Sequence, residues 1–142
     1  MTPSVLVNID VPDLKRGIAF YEKGLGLRFN RTLFDGSVAE MIHDGAALRL
    51  YLMEEPEGSK PTPQKTDTRD YSRHWTPVHV DFITDDLPGA LERATAAGAK
   101  QEKGVDHYEW GDIATLSDPF GNGFCLLDFK ADGYGADTNT AH

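Results

Sequence analysis

The chain has a single cysteine, Cys125, among its 142 residues. That excludes an internal disulfide and any zinc or iron–sulfur cage built from several thiolates. No apolar run comes near the ~20 residues that a membrane-spanning helix needs, so no membrane is expected as a partner. Met1-Thr2-Pro3-Ser4 has no basic stretch ahead of an apolar one, so no secretory leader is expected, and a reducing cytoplasm is the expected location. Positive charge is scarce: 14 Lys and Arg face 23 Asp and Glu, for a net charge of −9. Phosphate backbones are gripped by clustered Lys and Arg, so nucleic acid is not an expected partner either. The acidity serves solubility or favours cationic ligands. No glycine-rich phosphate cradle is present.

What is present is a pattern used twice. Val5-Leu6-Val7-Asn8-Ile9-Asp10-Val11-Pro12-Asp13-Leu14 is matched by Val78-His79-Val80-Asp81-Phe82-Ile83-Thr84-Asp85-Asp86-Leu87 at one constant spacing. Each opens with alternating apolar residues, the mark of a half-buried strand. Each then reaches Asp-Leu, where the carboxylate suits the exposed N–H groups of a helix start. Leu14, Ile18, Tyr21 and Leu25 trace one helix face, and Leu87, Leu91, Ala94 and Gly98 repeat it. The helices end at Gly24 or Gly26 and at Gly98.

Strands are expected over Leu27–Phe34, Ser37–His43 and Ala46–Met53, with hairpin turns at Asp35-Gly36 and Asp44-Gly45. The second copy offers Ala99–Val105, Asp112–Ser117 and Gly123–Phe129. Aligning Gly45 with Gly121 makes Arg49 and Cys125 equivalent. The reading is an α+β fold of two tandem βαβββ modules, 4–54 and 76–130, in a single domain over 1–130. The modules form a curved mixed sheet around a groove, with helices on the outer face. Neither module alone buries enough surface to stand comfortably by itself. Residues 55–75 are rich in Pro, Lys, Thr and Glu and read as a linker or a lid. Residues 131–142 read as a flexible tail.

These residues resemble the vicinal oxygen chelate superfamily, which includes glyoxalase I, bleomycin-resistance proteins and extradiol dioxygenases. The resemblance is carried by Val11-Pro12-Asp13-Leu14, Phe20-Tyr21 and Leu25-Gly26-Leu27 in the first half. In the second it is carried by His79-Val80-Asp81, Asp85-Asp86-Leu87, Ala97-Gly98-Ala99 and Asp118-Pro119-Phe120-Gly121-Asn122. It looks most like the glyoxalase-like branch, and it implies a fold more than an activity, since the superfamily hosts many chemistries. Its metal-dependent members take two donors from each module, one on the first strand and one on the last. The matching positions here are Leu6, Arg49, His79 and Cys125. Leucine has no donor atom and arginine repels a cation. Neither a metal nor any other cofactor is therefore expected, and Asn8 and Asp10 are the available substitute donors. The resemblance also implies a homodimer, which would cover open sheet edges.

The candidate ligand-binding residues are His79, Arg49, Asn8, Asp81, Tyr51, Cys125 and Trp110; no catalytic residue is assigned. His79 is either a ligand contact or a hydrogen-bonded core histidine. Arg49 either pairs with an acid such as Asp81 or Glu40 or binds a ligand carboxylate as a fork. Cys125 is a nucleophile activated by His79, or a small buried residue. Tyr51 and Trp110 are pocket wall or packing. The expected function is metal-independent binding of a small organic molecule, for sequestration or resistance. The alternative is a glyoxalase- or dioxygenase-type lyase, isomerase or oxygenase acting on a small carbonyl or vicinal-oxygen substrate.

Overall fold

The computed structural model describes residues 5–44, 48–62 and 67–137. The first module runs β1 (Val7–Val11), α1 (Leu14–Lys23), β2 (Arg28–Leu33), β3 (Val38–Ile42) and β4 (Arg49–Glu54). The second runs β5 (Val80–Ile83), α2 (Leu87–Ala96), β6 (Lys100–Gln101), β7 (Asp106–Tyr108), β8 (Gly111–Ser117) and β9 (Gly123–Phe129). Both helices start as the sequence indicates. The Asp13 carboxylate accepts from Arg16 N, and that of Asp86 accepts from Gly89 N. Gly24 stays in the right-handed helical region, while Gly26 at φ 74° and Gly98 at φ 119° make the left-handed turns.

The strands form one ladder per module. The first has the order β1-β4-β3-β2 and the second β5-β9-β8-β6, with β7 also on β8. β1 pairs parallel to β4, and β5 parallel to β9. The curved sheet is thus two hydrogen-bonded sheets, and a cavity lined by both β1 and β5 lies where a ladder would join them. The strand expected over Ala99–Val105 is broken into β6 and β7. Lys100, Gln101, Glu102 and Lys103 are all exposed, so no buried face holds a register there.

One hydrophobic core serves both modules. Leu14, Phe20, Met41 and Leu52 share it with Leu87, Leu116, Phe124 and Leu126. A fully buried side chain of this size contributes about 1.5–3 kcal/mol. Phe20 of α1 meets Phe124 of β9 edge-on at 6.2 Å. Gly17 lets α1 approach the sheet: a Cβ there would stand 3.2 Å from Val11 and 3.3 Å from Leu52. Side chains alternate across each strand. With Leu50 and Leu52 in the core, Arg49, Tyr51 and Met53 take the opposite face; Cys125 does so between Phe124 and Leu126.

The described part of the tail carries local structure. Gly133–Asp137 is a short 3-10 helix. Its Tyr134 ring packs 4.8 Å from Phe129 and 5.1 Å from Trp110. Ring contacts hold this part of the tail against the body, although Tyr134 stays half-exposed; residues 138–142 lie outside the described residues. Among the described residues no helix is long and apolar enough to cross a membrane.

Candidate functional site

Strand register fixes which residues are counterparts. Asn8 pairs with Tyr51 across β1 and β4, and Asp81 pairs with Cys125 across β5 and β9. The counterpart of Cys125 is therefore Tyr51, not Arg49, which corrects the glycine-based alignment. The segment between β3 and β4 spans 43–48 and that between β8 and β9 spans 118–122. The first segment is one residue longer than the second, and Gly45 of the expected Asp44-Gly45 turn lies outside the described residues.

On the first module the face away from the core is organised around Glu40, which is completely buried. Its Oε1 accepts from Asn30 Nδ2 at 2.7 Å and Arg31 Nε at 3.1 Å. Its Oε2 accepts from Tyr51 Oη at 2.7 Å and Arg49 Nη1 at 3.1 Å. Hydrogen bonds from Asn30, Arg31 and Tyr51 hold the carboxyl down at about 2. Such a carboxylate stays ionised and has no capacity left for proton transfer. Arg49 thus takes the Glu40 pairing rather than standing beside His79. Neither Arg49 nor Tyr51 lines a cavity that His79 lines.

The second module presents open donors on its matching face. His79 Nε2 lies 3.1 Å from Asp81 Oδ1. His79, Asp81 and Cys125 offer donor atoms within 4.8 Å of one another. Burial, and then the nearby Asp81 carboxylate, push the Cys125 thiol up. A thiol so placed is a poor nucleophile at neutral pH, which favours its packing role.

The four-donor cage that the resemblance implies needs donors from both modules. Here the first module supplies Leu6 with either Tyr51, bonded to Glu40, or Arg49, a cation on the same carboxylate. The residues present do not fit that cage.

The larger cavity, about 710 Å³, opens between β1 and β5. Asn8, Asp10 and His79 line it, with Ile9, Phe82 and Phe124 as apolar wall. Its outer wall is the connector between the modules, fastened at both ends. Toward the first module, Arg69 Nε donates to Asp10 Oδ2 at 2.8 Å and Tyr71 Oη donates to Glu55 O at 2.7 Å. Toward the second, His74 Nε2 lies 2.9 Å from Asn122 Oδ1 and Arg73 Nη2 donates to Glu102 Oε1 at 3.0 Å. Gly121 allows this contact, because a Cβ there would overlap Ser72 O. A smaller cavity of about 220 Å³, lined by Trp75, Thr115 and Cys125, also reaches His79.

Of the expected residues, the structure gathers Asn8, His79, Asp81 and Cys125 along these cavities or beside them. Trp110 is elsewhere, stacked on Tyr108 at 5.1 Å and packed against Tyr134. Sequence reasoning missed Arg69, Tyr71 and His74. Their signal was the run Arg69-Asp70-Tyr71-Ser72-Arg73-His74, which is too rich in rings and paired charge for a bare spacer.

With this geometry established, comparison places the protein. The chain belongs to the glyoxalase-like domain family, whose profile matches residues 6–127. Its structural neighbours lie in the wider vicinal oxygen chelate superfamily. FosX, a fosfomycin resistance protein of Listeria monocytogenes, superposes with a TM-score of 0.70 at 16% identity, covering 97% of this chain and 99% of its own. A glyoxalase family protein of Bacillus cereus gives 0.70 at 17%, covering 92% and 96%. TnmS3, an antibiotic binding protein of Streptomyces sp. CB03234, gives 0.62 at 23%, covering 92% and 99%. Among curated proteins, no sequence matches significantly.

Proposed function

We propose that the protein binds a small organic molecule in the larger cavity, using its own side chains and no metal, as a sequestering or resistance protein. The cavity carries this reading. Its volume of about 710 Å³ falls within the range of roughly 300–1,000 Å³ typical of small-molecule sites. It also combines an apolar wall with a few convergent polar groups, the usual composition of such sites. That TnmS3, of the same fold, is an antibiotic binding protein supports it. The lyase or oxygenase alternative draws less support, because the first-module positions that match His79 and Cys125 hold Leu6, which has no donor atom, and Tyr51, which is bonded to Glu40.

The test is a thermal-shift and nitrogen-15 NMR screen of small organic compounds against chelator-treated protein. Hits should perturb Asn8, Asp10 and Phe82 amides and weaken in His79→Ala. Binding that appears only after a divalent metal is restored would overturn the metal-free reading.

A homodimer belongs to the same proposal. Val5, Leu6 and Val78 are 73%, 55% and 79% exposed, at the entrances to two edge strands. Exposed apolar residues beside strand edges favour coverage by a second copy. Sedimentation equilibrium at micromolar concentration should return twice the chain mass; a single 15.7 kDa species would refute it.

A further inference from the structure

We infer that the larger cavity selects organic cations, meaning an apolar body that carries a protonated amine. The inference rests on the reading of this cavity as the ligand site and adds the ligand's charge. It stands on two observations: where the wall's charge is already committed, and which polar atoms have no partner.

The guanidinium in the wall is Arg69, and its Nε and Nη1 hydrogens are committed to the protein. Nε donates to Asp10 Oδ2 at 2.8 Å, and Nη1 donates to Ser59 Oγ and to Lys60 O, each at 3.1 Å. Glu55 Oε2 lies 3.6 Å away. Its side chain is only 17% exposed, so it is not free to swing toward a ligand. Asp10 and Asp70 line the same wall, which leaves these three charges net negative. Immediately behind the wall, Asp81 stands beside His79, and Asp118 binds Asn122. A carboxylate ligand would meet these acids, while the guanidinium among the described lining residues is already ion-paired with Asp10.

The leftover atoms point the same way. Asp10 uses Oδ2 on Arg69, and its Oδ1 has no partner among the described residues. The Asn8 amide, one strand position pair away on the same face, has none either. Asp10 Oδ1 and Asn8 Oδ1 are acceptors, and an ammonium group is a compact charged donor with three N–H bonds and no acceptor. Ile9, Phe82 and Phe124 supply the surface for the apolar body. Acids alone would not define a site; the cavity and its apolar wall do, and the solvent-facing acceptors of Asp10 and Asn8 set the charge that it favours.

The test compares 2-phenylethylamine, 2-phenylethanol and phenylacetate, which share a body and differ in charge. Each is titrated into the full-length, chelator-treated protein with nitrogen-15 detection. The amine should bind at least about tenfold more tightly than the alcohol, equivalent to about 1.4 kcal/mol. The carboxylate should bind most weakly, and added salt should shrink the amine's advantage. Asp10→Asn should bring the amine down to the alcohol's affinity. Because that variant also loosens Arg69, Asn8→Asp serves as a second: it adds a charge at an unpartnered side chain and should tighten the amine alone. Equal binding of the three ligands at Asn8, Asp10 and Phe82 keeps the cavity as the site and overturns the cation preference; so does tighter binding of phenylacetate. Shifts confined to other residues overturn both readings.

Discussion

Tyr21 Oη donates to Asp118 Oδ2 at 2.7 Å, across 97 residues of sequence. This bond ties α1 of the first module to the turn before β9 of the second. Asp118 also accepts from Phe120 N, Asn122 N and Asn122 Nδ2, each at 2.9 Å. Burial first, then the adjacent carboxylate, hold the Tyr21 phenol well above its ordinary value. The phenol therefore keeps its proton and remains a donor at neutral pH.

Removing either partner should destabilise the joint, but unequally. Tyr21→Phe deletes one donor and should cost about 1–3 kcal/mol. Asp118→Ala orphans three backbone and side-chain donors as well as the phenol, so it should cost more, about 3 kcal/mol or above. Urea unfolding of both single variants and the double variant checks this. A double variant no worse than Asp118→Ala shows that the tyrosine acts through the aspartate.

Glu40 sets an acid limb on stability. Its carboxyl sits at about 2 in the fold against an ordinary 4.5. A depressed carboxylate gives stability that is fully present above the unfolded value and is lost as pH falls through the folded one. The loss attributable to Glu40 therefore runs from about pH 4.5 down to about 2. Glu40→Gln should be less stable than the natural protein at neutral pH, and the gap should close across that window. A gap that stays constant with pH would show that the charge contributes nothing.

Cys125 should be sluggish toward alkylating reagents. Burial and Asp81 both favour the thiol over the thiolate. Iodoacetamide should react with it more slowly at neutral pH than with a free small thiol. Asp81→Asn removes the repelling charge and should speed the reaction. An unchanged rate in that variant would mean that access, not charge, governs the thiol.

Arg69 should hold the connector in place. Gly58 N donates to Arg69 O and Arg69 N donates to Ser59 O, both at 2.8 Å. Arg69→Ala should cost about 1–2 kcal/mol through the lost side-chain bonds. Hydrogen exchange should then quicken at Gly58 and Arg69 while β9 amides keep their protection. Uniform quickening would mean that the connector unfolds only with the whole molecule.

The repeat in the sequence was enough to read both modules, because strand alternation and aspartate caps are local signals. Asp13 and Asp86 cap their helices as expected, and β9 runs over Gly123–Phe129 as expected. Register across the hairpins was less legible. It depends on how many residues each turn consumes, and Gly45 and Gly121 do not stand at equivalent points. Cavity-lining residues were legible where strand alternation alone points them that way, as with His79 and Asn8. Arg69, Tyr71 and His74 depend on partners far along the chain, such as Asp10 and Asn122, and no periodicity marks such pairs. Trp110 read as pocket wall or packing, because aromatic side chains serve both roles. Its neighbours Tyr108 and Tyr134 decided for packing.

The connector also constrains how such a chain is inherited. Arg69 needs Asp10 from the first half, while Arg73 and His74 need Glu102 and Asn122 from the second. Recombination between relatives that exchanged one half at this seam would preserve two intact sheets yet leave half the fastenings without partners. The two halves share one pattern, but the connector ties each of them to partners of its own. A change in the connector would have to be matched on both sides of it, and the cavity wall is where the two halves meet that requirement together.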